Sequence, residues 1–401
     1  MKTFTLLLLM AISSLAFGQE LYFPPLDSEE WDTLPPSELN FCPEKIEDLY
    51  NYLEAEETLS FILLKDGKIV LEQYFNDHAI DDRWVWFSAG KSLRATLVGI
   101  AQEEGYLNIE DKTSDYLGVG WTSLPQAQED SITIWHQLTM TTGLDESDFS
   151  CSEPACLNYK APAGTRWFYH NAPYNLLKDV LENTTGQSLN AYTNLSIRNK
   201  IGMQTGTWVP FGDNTFFFST ARDMARFGLM IQNKGTWDNT PVLADQNYYE
   251  AMARPSQGLN PAYGYLWWLN GQDSYIPPGT ALSFAGPLAP DSPLDVFSAA
   301  GGQGQFISIS PERGWLMIRQ GMQEDTDLTA IPLLNEIWKR ILDLECTPVS
   351  SQEATPYSIE LSPNPTEGWL HINDPSSRLE RMQLYNLDRK PRLNSSHYLQ
   401  S

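Results

Sequence analysis

Basic residues are scarce. Against 51 Asp and Glu stand only 26 Lys and Arg, a formal charge of −25 at pH 7. A surface of that sign repels phosphate backbones and anionic headgroups, so nucleic acid is not an expected partner. Histidine is scarcer still: the five residues His78, His136, His170, His371 and His397 show no ligand spacing with one another or with the cysteines. No metal centre is expected on that pattern, and no other cofactor. The 26 Gly and 26 Pro follow no period, which excludes collagen-like and low-complexity classes. Long apolar runs are absent after the first twenty residues, so no insertion into a membrane is expected. There is also no Gly-x-Ser-x-Gly elbow, the turn on which many Ser-His-Asp hydrolases carry their nucleophile.

What is present is a chain of 401 residues, 42% hydrophobic and 12% aromatic, enough for a large core and more than one folding unit. Lys2, the apolar run from Leu6 through Ile12 and the small residues ending Ala16-Phe17-Gly18 have the order of a cleavable secretory signal over residues 1–18. Ser13 and Ser14 interrupt the run too early for a membrane anchor. The mature protein is therefore expected outside the cytoplasm, where thiols pair.

Four cysteines allow three pairings. Cys151 and Cys156 bracket a tiny proline-containing loop, and Cys42 and Cys346 stand at the two ends of the main domain, which favours 151–156 with 42–346. Four unpaired buried thiols are the other reading.

Periodicity gives an α+β outline. Pro43–Glu56 predicts a helix with Ile46, Leu49 and Leu53 on one face, and Thr58–Leu64 and Lys68–Phe75 a hairpin turned at Asp66-Gly67. A helical insert of about 92–255 follows, with helical spacing in Leu93–Glu104, Trp135–Met140, Tyr174–Glu182, Leu189–Lys200 and Ala221–Asn233. Strand-like runs return at Tyr263–Leu269, Phe297–Ala300, Phe306–Ser310 and Trp315–Gln320, and Ala330–Leu344 reads as a closing helix. The expectation is an antiparallel sheet flanked by helices and closed by the two ends of a domain of residues 19–345. A Ser/Thr/Pro-rich linker (346–356) and a short β-rich tail (357–401) complete the chain.

Ser88 and Lys91 lie three apart at the start of an amphipathic helix, the spacing at which a hydroxyl and an amine can meet. A serine becomes nucleophilic when a base takes its proton, and a lysine serves once burial and a helix N-terminus depress its pKa. Two further segments accompany the pair: Tyr169-His170-Asn171, and the Gly-rich stretch Ala300-Gly301-Gly302-Gln303-Gly304-Gln305. In this order the three resemble the motifs of the serine β-lactamase and penicillin-binding superfamily, in its class C branch beside esterases and aminohexanoate-oligomer hydrolases. Ile132–Leu144, Ser219–Gly228 and Tyr263–Trp268 support the resemblance, which spans about residues 45–343.

The resemblance implies the β-lactamase fold, Ser88 as the acylated nucleophile, Lys91 as its proton acceptor and Tyr169 as the phenol that shuttles protons. Asn171 would bind the substrate or steady Lys91. Aligning the final glycine of the third motif on Gly304 puts Gly302 at its start and Gln303 between them, with the backbone N–H groups of Ser88 and Gln305 as the oxyanion hole. Family members often carry Lys or His where this alignment has Gly302. A missing cation points away from carboxylate-bearing β-lactams and toward small esters or amides as substrates. The competing reading is an idle binding protein that kept the fold, with a true β-lactamase or D,D-peptidase below both.

His170 occupies the variable centre of Tyr-x-Asn and is not read as a base. Trp84, Trp86, Trp167, Trp267 and Trp268 are core by default, and the sequons at Asn183 and Asn194 are read as coincidence. The tail, with Ser362-Pro363-Asn364-Pro365-Thr366-Glu367-Gly368, resembles a shortened Bacteroidetes type IX sorting domain. That implies secretion machinery as a partner and an extracellular or cell-surface site if the tail works, a periplasmic one otherwise.

Overall fold

The structure is a computed structural model and describes residues 21–323, 329–346, 360–362 and 371–373. The expected signal, the linker beyond Cys346 and most of the sorting-like tail lie outside the described residues. The chain divides into two compact units, Met1–Cys346 and Thr347–Ser401. In the second, Glu360–Ser362 pairs antiparallel with His371–Asn373.

In the first unit, helix α1 (Pro43–Ala55) starts with a proline, whose missing N–H is no loss in a first turn. It buries Leu49 and Leu53, one helical turn apart. Strands β1 (Thr58–Lys65) and β2 (Lys68–Tyr74) follow as the expected hairpin. Both turn residues are left-handed, Asp66 at φ 49° and Gly67 at φ 85°. Gly67 is also sterically required, since a Cβ there would lie 2.0 Å from the Tyr22 carbonyl oxygen.

The chain then runs through β3 (Trp84–Val85), α2 (Gly90–Glu103), α3 (Asn171–Thr185), β4 (Thr207–Phe211), β5 (Asn214–Ser219) and α4 (Ala221–Gln232). It returns as β6 (Trp268–Leu269), β7 (Phe297–Gly301), β8 (Gln305–Ser310), β9 (Trp315–Gly321) and α5 (Ile331–Leu342).

One antiparallel sheet of order β2-β1-β9-β8-β7-β6 organises these elements. The first and last long strands, β1 and β9, lie side by side, so the sheet is closed by the ends of the domain as expected. Successive residues of β8 point to opposite faces. Ile307 meets α4 at Gly228, where a Cβ would come within 2.9 Å of it. Ser308 accepts a hydrogen bond at 2.8 Å from the indole of Trp338 on α5. Helices thus cover both faces. Cys42 and Cys346, 304 residues apart, are joined, as are Cys151 and Cys156. The long bridge is flanked by backbone bonds from Cys42 N–H to Leu344 and from Cys346 N–H to Asn40, at 2.9 and 2.8 Å.

Two expectations need correction. The middle of the chain is not only helical: β3, β5 and β4 form a three-stranded sheet beside the nucleophile segment. Its Phe216-Phe217-Phe218 run packs by aromatic fit on a pleated surface, which helical periodicity overlooks. Nor is Tyr263–Leu269 one strand. Only Trp268–Leu269 joins the sheet, because Leu266 turns left-handed at φ 59° and breaks the extended run.

Candidate active site

Helix α2 is buried on every side from Gly90 to Ala101, an environment that must satisfy each polar side chain it contains. Ser92 donates to the Leu266 carbonyl at 2.7 Å and Thr96 to the Ser92 carbonyl at 3.0 Å. Lys91 Nζ lies 3.2 Å from Ser88 Oγ, so the pair read from the sequence is in hydrogen-bond contact. Lys91 is 3% exposed and pairs with no carboxylate among the described residues.

The turn that carries Ser88 is held from below. Trp86 N–H donates to the Phe217 carbonyl at 2.8 Å, its indole donates to Ser219 Oγ at 2.8 Å, and its ring packs edge-on against Phe217. Ala89 is fully buried, leaving the turn no room to shift. Phe87, the residue before the nucleophile, sits at φ 44°, a conformation that is costly for a bulky side chain.

Burial first, and the charge of Arg94 second, hold the Lys91 ammonium well below the ordinary lysine range. Arg94 is one turn further along α2 and fully buried, with its guanidinium carbon 4.2 Å from the ring centre of Tyr174 and 4.7 Å from that of Trp208. Lys91 Nζ stands 4.3 Å from the same Tyr174 ring and 5.0 Å from that of Tyr169. The Lys91 amine and the Arg94 guanidinium thus share one aromatic neighbour, which favours the guanidinium charge without supplying a counter-charge.

Tyr169 is buried against Trp268, stacked at 5.8 Å, with Phe149 stacked at 6.5 Å and Tyr263 edge-on at 6.4 Å. Burial raises its pKa and the Ser88 hydroxyl beside it pulls the value back, so the phenol keeps its proton at neutral pH. Asn171 opens α3, and its side-chain carbonyl is buried without a hydrogen-bond partner among the described residues. The His170 ring packs on Phe149 at 6.3 Å, and burial pushes its pKa down to about 4. Asp148 lies near the sulfurs of Cys151 and Cys156, but those sulfurs are joined to each other and offer no thiolate.

The third motif is where spatial order departs from the sequence alignment. A Cβ at Gly301, the end of β7, would lie 2.4 Å from the Trp86 carbonyl oxygen, 2.8 Å from Ala89 N and 3.0 Å from Ser88 N. Gly301 is thus the glycine pressed against the nucleophile turn. Gly304 lies on another side, where a Cβ would meet Arg319 Nη1 at 2.3 Å and Leu333 Cδ2 at 2.7 Å. Gln305 is fully buried, and its amide nitrogen donates to the carbonyls of Gly302, Gln303 and Gly321 while its amide oxygen accepts from Gly321 N–H. Its side chain holds the turn. Gly302 and Gln303 form that turn, with Gln303 left-handed at φ 61°.

Sequence reasoning missed Phe87, Arg94 and Tyr174 as neighbours of the dyad, and Phe149 as a neighbour of Tyr169. Arg94 alone carried a signal, a charge among the apolar residues of α2.

Comparison with known proteins gives the same outline. The family model described as Beta-lactamase matches residues 51–320. A 6-aminohexanoate-dimer hydrolase of Paenarthrobacter ureafaciens is 22% identical over 283 residues, 60% of this chain and 71% of that protein. Among solved structures, a Bacillus anthracis chain named for 6-aminohexanoate-dimer hydrolase superposes with a TM-score of 0.61 at 16% identity, covering 82% of this chain and 90% of that one. A family VIII carboxylesterase superposes with a TM-score of 0.56 at 17% identity, covering 75% and 98%.

Proposed function

The chain belongs to the Beta-lactamase family, and from that premise we propose an exported serine hydrolase that cleaves ester or small amide bonds through an acyl-Ser88 intermediate. The observation that carries the reading is the 3.2 Å contact of Ser88 Oγ with a buried Lys91 that has no carboxylate partner among the described residues. A neutral amine so placed takes the Ser88 proton as Oγ attacks the carbonyl carbon of the substrate. The Tyr169 phenol passes its proton to the leaving group and recovers one from Lys91, and the acyl group stays on Ser88. Water then attacks the ester, its proton relayed by the Tyr169 phenol to Ser88 Oγ as the acyl–Oγ bond breaks, which releases the acid and restores Ser88.

The tetrahedral oxyanion needs two N–H donors about 3 Å away. Ser88 supplies one. For the other we favour Gly302 over Gln305, because Gly302 follows the glycine packed on the nucleophile turn. Under this assignment Ala299 and Ala300 precede the packed Gly301, so the motif still carries no cation. An uncharged substrate follows, and Asn171, with its free side-chain carbonyl, is available for a substrate amide.

The apolar leader of the sequence and the two disulfides support export. The test is a panel of p-nitrophenyl esters, D-amino-acid amides and nitrocefin. Uncharged esters are expected to have the highest kcat/KM, and faster turnover of nitrocefin would overturn the substrate assignment.

A further inference from the structure

The hairpin β4–β5 is apolar on both faces, where a hairpin at a protein surface ordinarily alternates. Trp208 and Phe217 point inward and are 3% and 0% exposed. Val209 and Phe211, two residues apart and so on the opposite face, are 40% and 74% exposed. Phe216 stands directly across from Val209 on that outer face, with its ring 6.3 Å from Phe211. The row then continues onto the nucleophile turn, since the Phe87 ring meets Phe216 edge-on at 5.5 Å. Phe87 precedes Ser88 directly and keeps a phenyl side chain at a positive φ that glycine would adopt without strain. Strain held beside a nucleophile is a pointer to a role for the side chain.

We propose that Phe87, Phe216, Val209 and Phe211 form a platform that binds an unbranched apolar chain of the substrate, running outward from Ser88 to the tip of the hairpin. The inference rests on the acyl-Ser88 reading and adds the substrate class: esters or amides bearing an extended aliphatic chain. A substrate chain is the occupant favoured over a protein partner because the platform begins at the residue bonded to the nucleophile.

The experiment measures kcat/KM for p-nitrophenyl esters from acetate to decanoate, below their critical micelle concentrations, on wild type, Phe211→Ser and Phe211→Leu. On an open platform each added methylene should raise wild-type kcat/KM by about twofold, roughly half the effect of full burial. Phe211→Ser should lower the decanoate-to-acetate ratio about tenfold, the share of the outermost methylenes, and Phe211→Leu should keep it. Melting curves establish that the variants are folded. A flat chain-length profile in wild type, or an unchanged ratio in Phe211→Ser, overturns the platform while Ser88 turnover stands. No turnover of any ester, together with no fluorophosphonate adduct on Ser88, would instead bring down the hydrolase reading. A dimer by light scattering that Phe211→Ser dissolves, with a flat profile, would assign the face to a second copy and refute the proposal.

Discussion

Gly301→Ala tests the third motif directly. The new methyl group would lie 2.4 Å from the Trp86 carbonyl oxygen, 2.8 Å from Ala89 N and 3.0 Å from Ser88 N, and all three are backbone atoms that cannot rotate away. Ordinary contact begins near 3.4 Å, so β7 or the nucleophile turn has to give by roughly 1 Å. A displacement of that size at reacting groups costs on the order of 100-fold in rate, and a lost oxyanion donor about 100- to 1000-fold. Overpacking adds about 1–3 kcal/mol of lost stability.

The expected result is a kcat for p-nitrophenyl acetate at least about 100-fold lower, with KM changed less and a folded protein of reduced Tm. Gly304→Ala is the control. It is strained at φ 76° and collides with Arg319 and Leu333, so it should lower Tm with a much smaller loss of kcat. Steady-state kinetics with a melting curve for each variant decide the matter. A near wild-type kcat in Gly301→Ala, or the larger kcat loss in Gly304→Ala, would refute the reasoning and restore Gly304 as the glycine beside Ser88.

Other expectations follow from the same geometry. Lys91 acts as a base only when neutral, so kcat/KM should rise with pH through its lowered pKa and then level off. Ser88, Arg94, Tyr169 and Tyr174 face it, and Arg94 is the one charge among them; Arg94→Gln should therefore move that limb to higher pH, and an unmoved limb would remove Arg94 from the electrostatics. Ser88→Ala, Lys91→Ala and Tyr169→Phe should each abolish most turnover, and the double variants should lose little more, as groups acting in one unit do. The two bridges should differ in energetic weight: closing 304 residues contributes up to about 5–6 kcal/mol and closing five about 2. The Cys42→Ala/Cys346→Ala protein should melt about 10 °C lower with activity kept at 25 °C, because the Cys42 and Cys346 backbone bonds remain. The Cys151→Ala/Cys156→Ala protein should melt nearer wild type with a raised KM, since that loop leads from Phe149, which stacks on Tyr169.

Much of this was legible because local chemistry and long-range order coincide. The Asp66-Gly67 turn, the Leu49–Leu53 spacing and the short, largely apolar runs of β8 and β9 each name their element without help from the rest of the chain. Ser88 and Lys91 were legible as residue types at a fixed spacing, and Tyr169 through the resemblance of Tyr169-His170-Asn171 to a family motif. What stayed hidden depends on packing between distant segments. Nothing local shows that Phe216 pairs with Val209, or that a charge at Arg94 shares Tyr174 with Lys91. The three glycines Gly301, Gly302 and Gly304 look alike in sequence, and the space around a Cβ at Gly301 and at Gly304 tells which of those two meets the nucleophile turn.

The central claim is that Ser88 becomes covalently acylated with Lys91 as its base. The most direct measurement is intact mass after a fluorophosphonate probe, followed by peptide mapping. The account predicts one adduct, on Ser88, absent in Ser88→Ala and formed far more slowly in Lys91→Ala. An adduct on another residue, no adduct in a folded wild-type protein, or equal labelling rates in wild type and Lys91→Ala would contradict it.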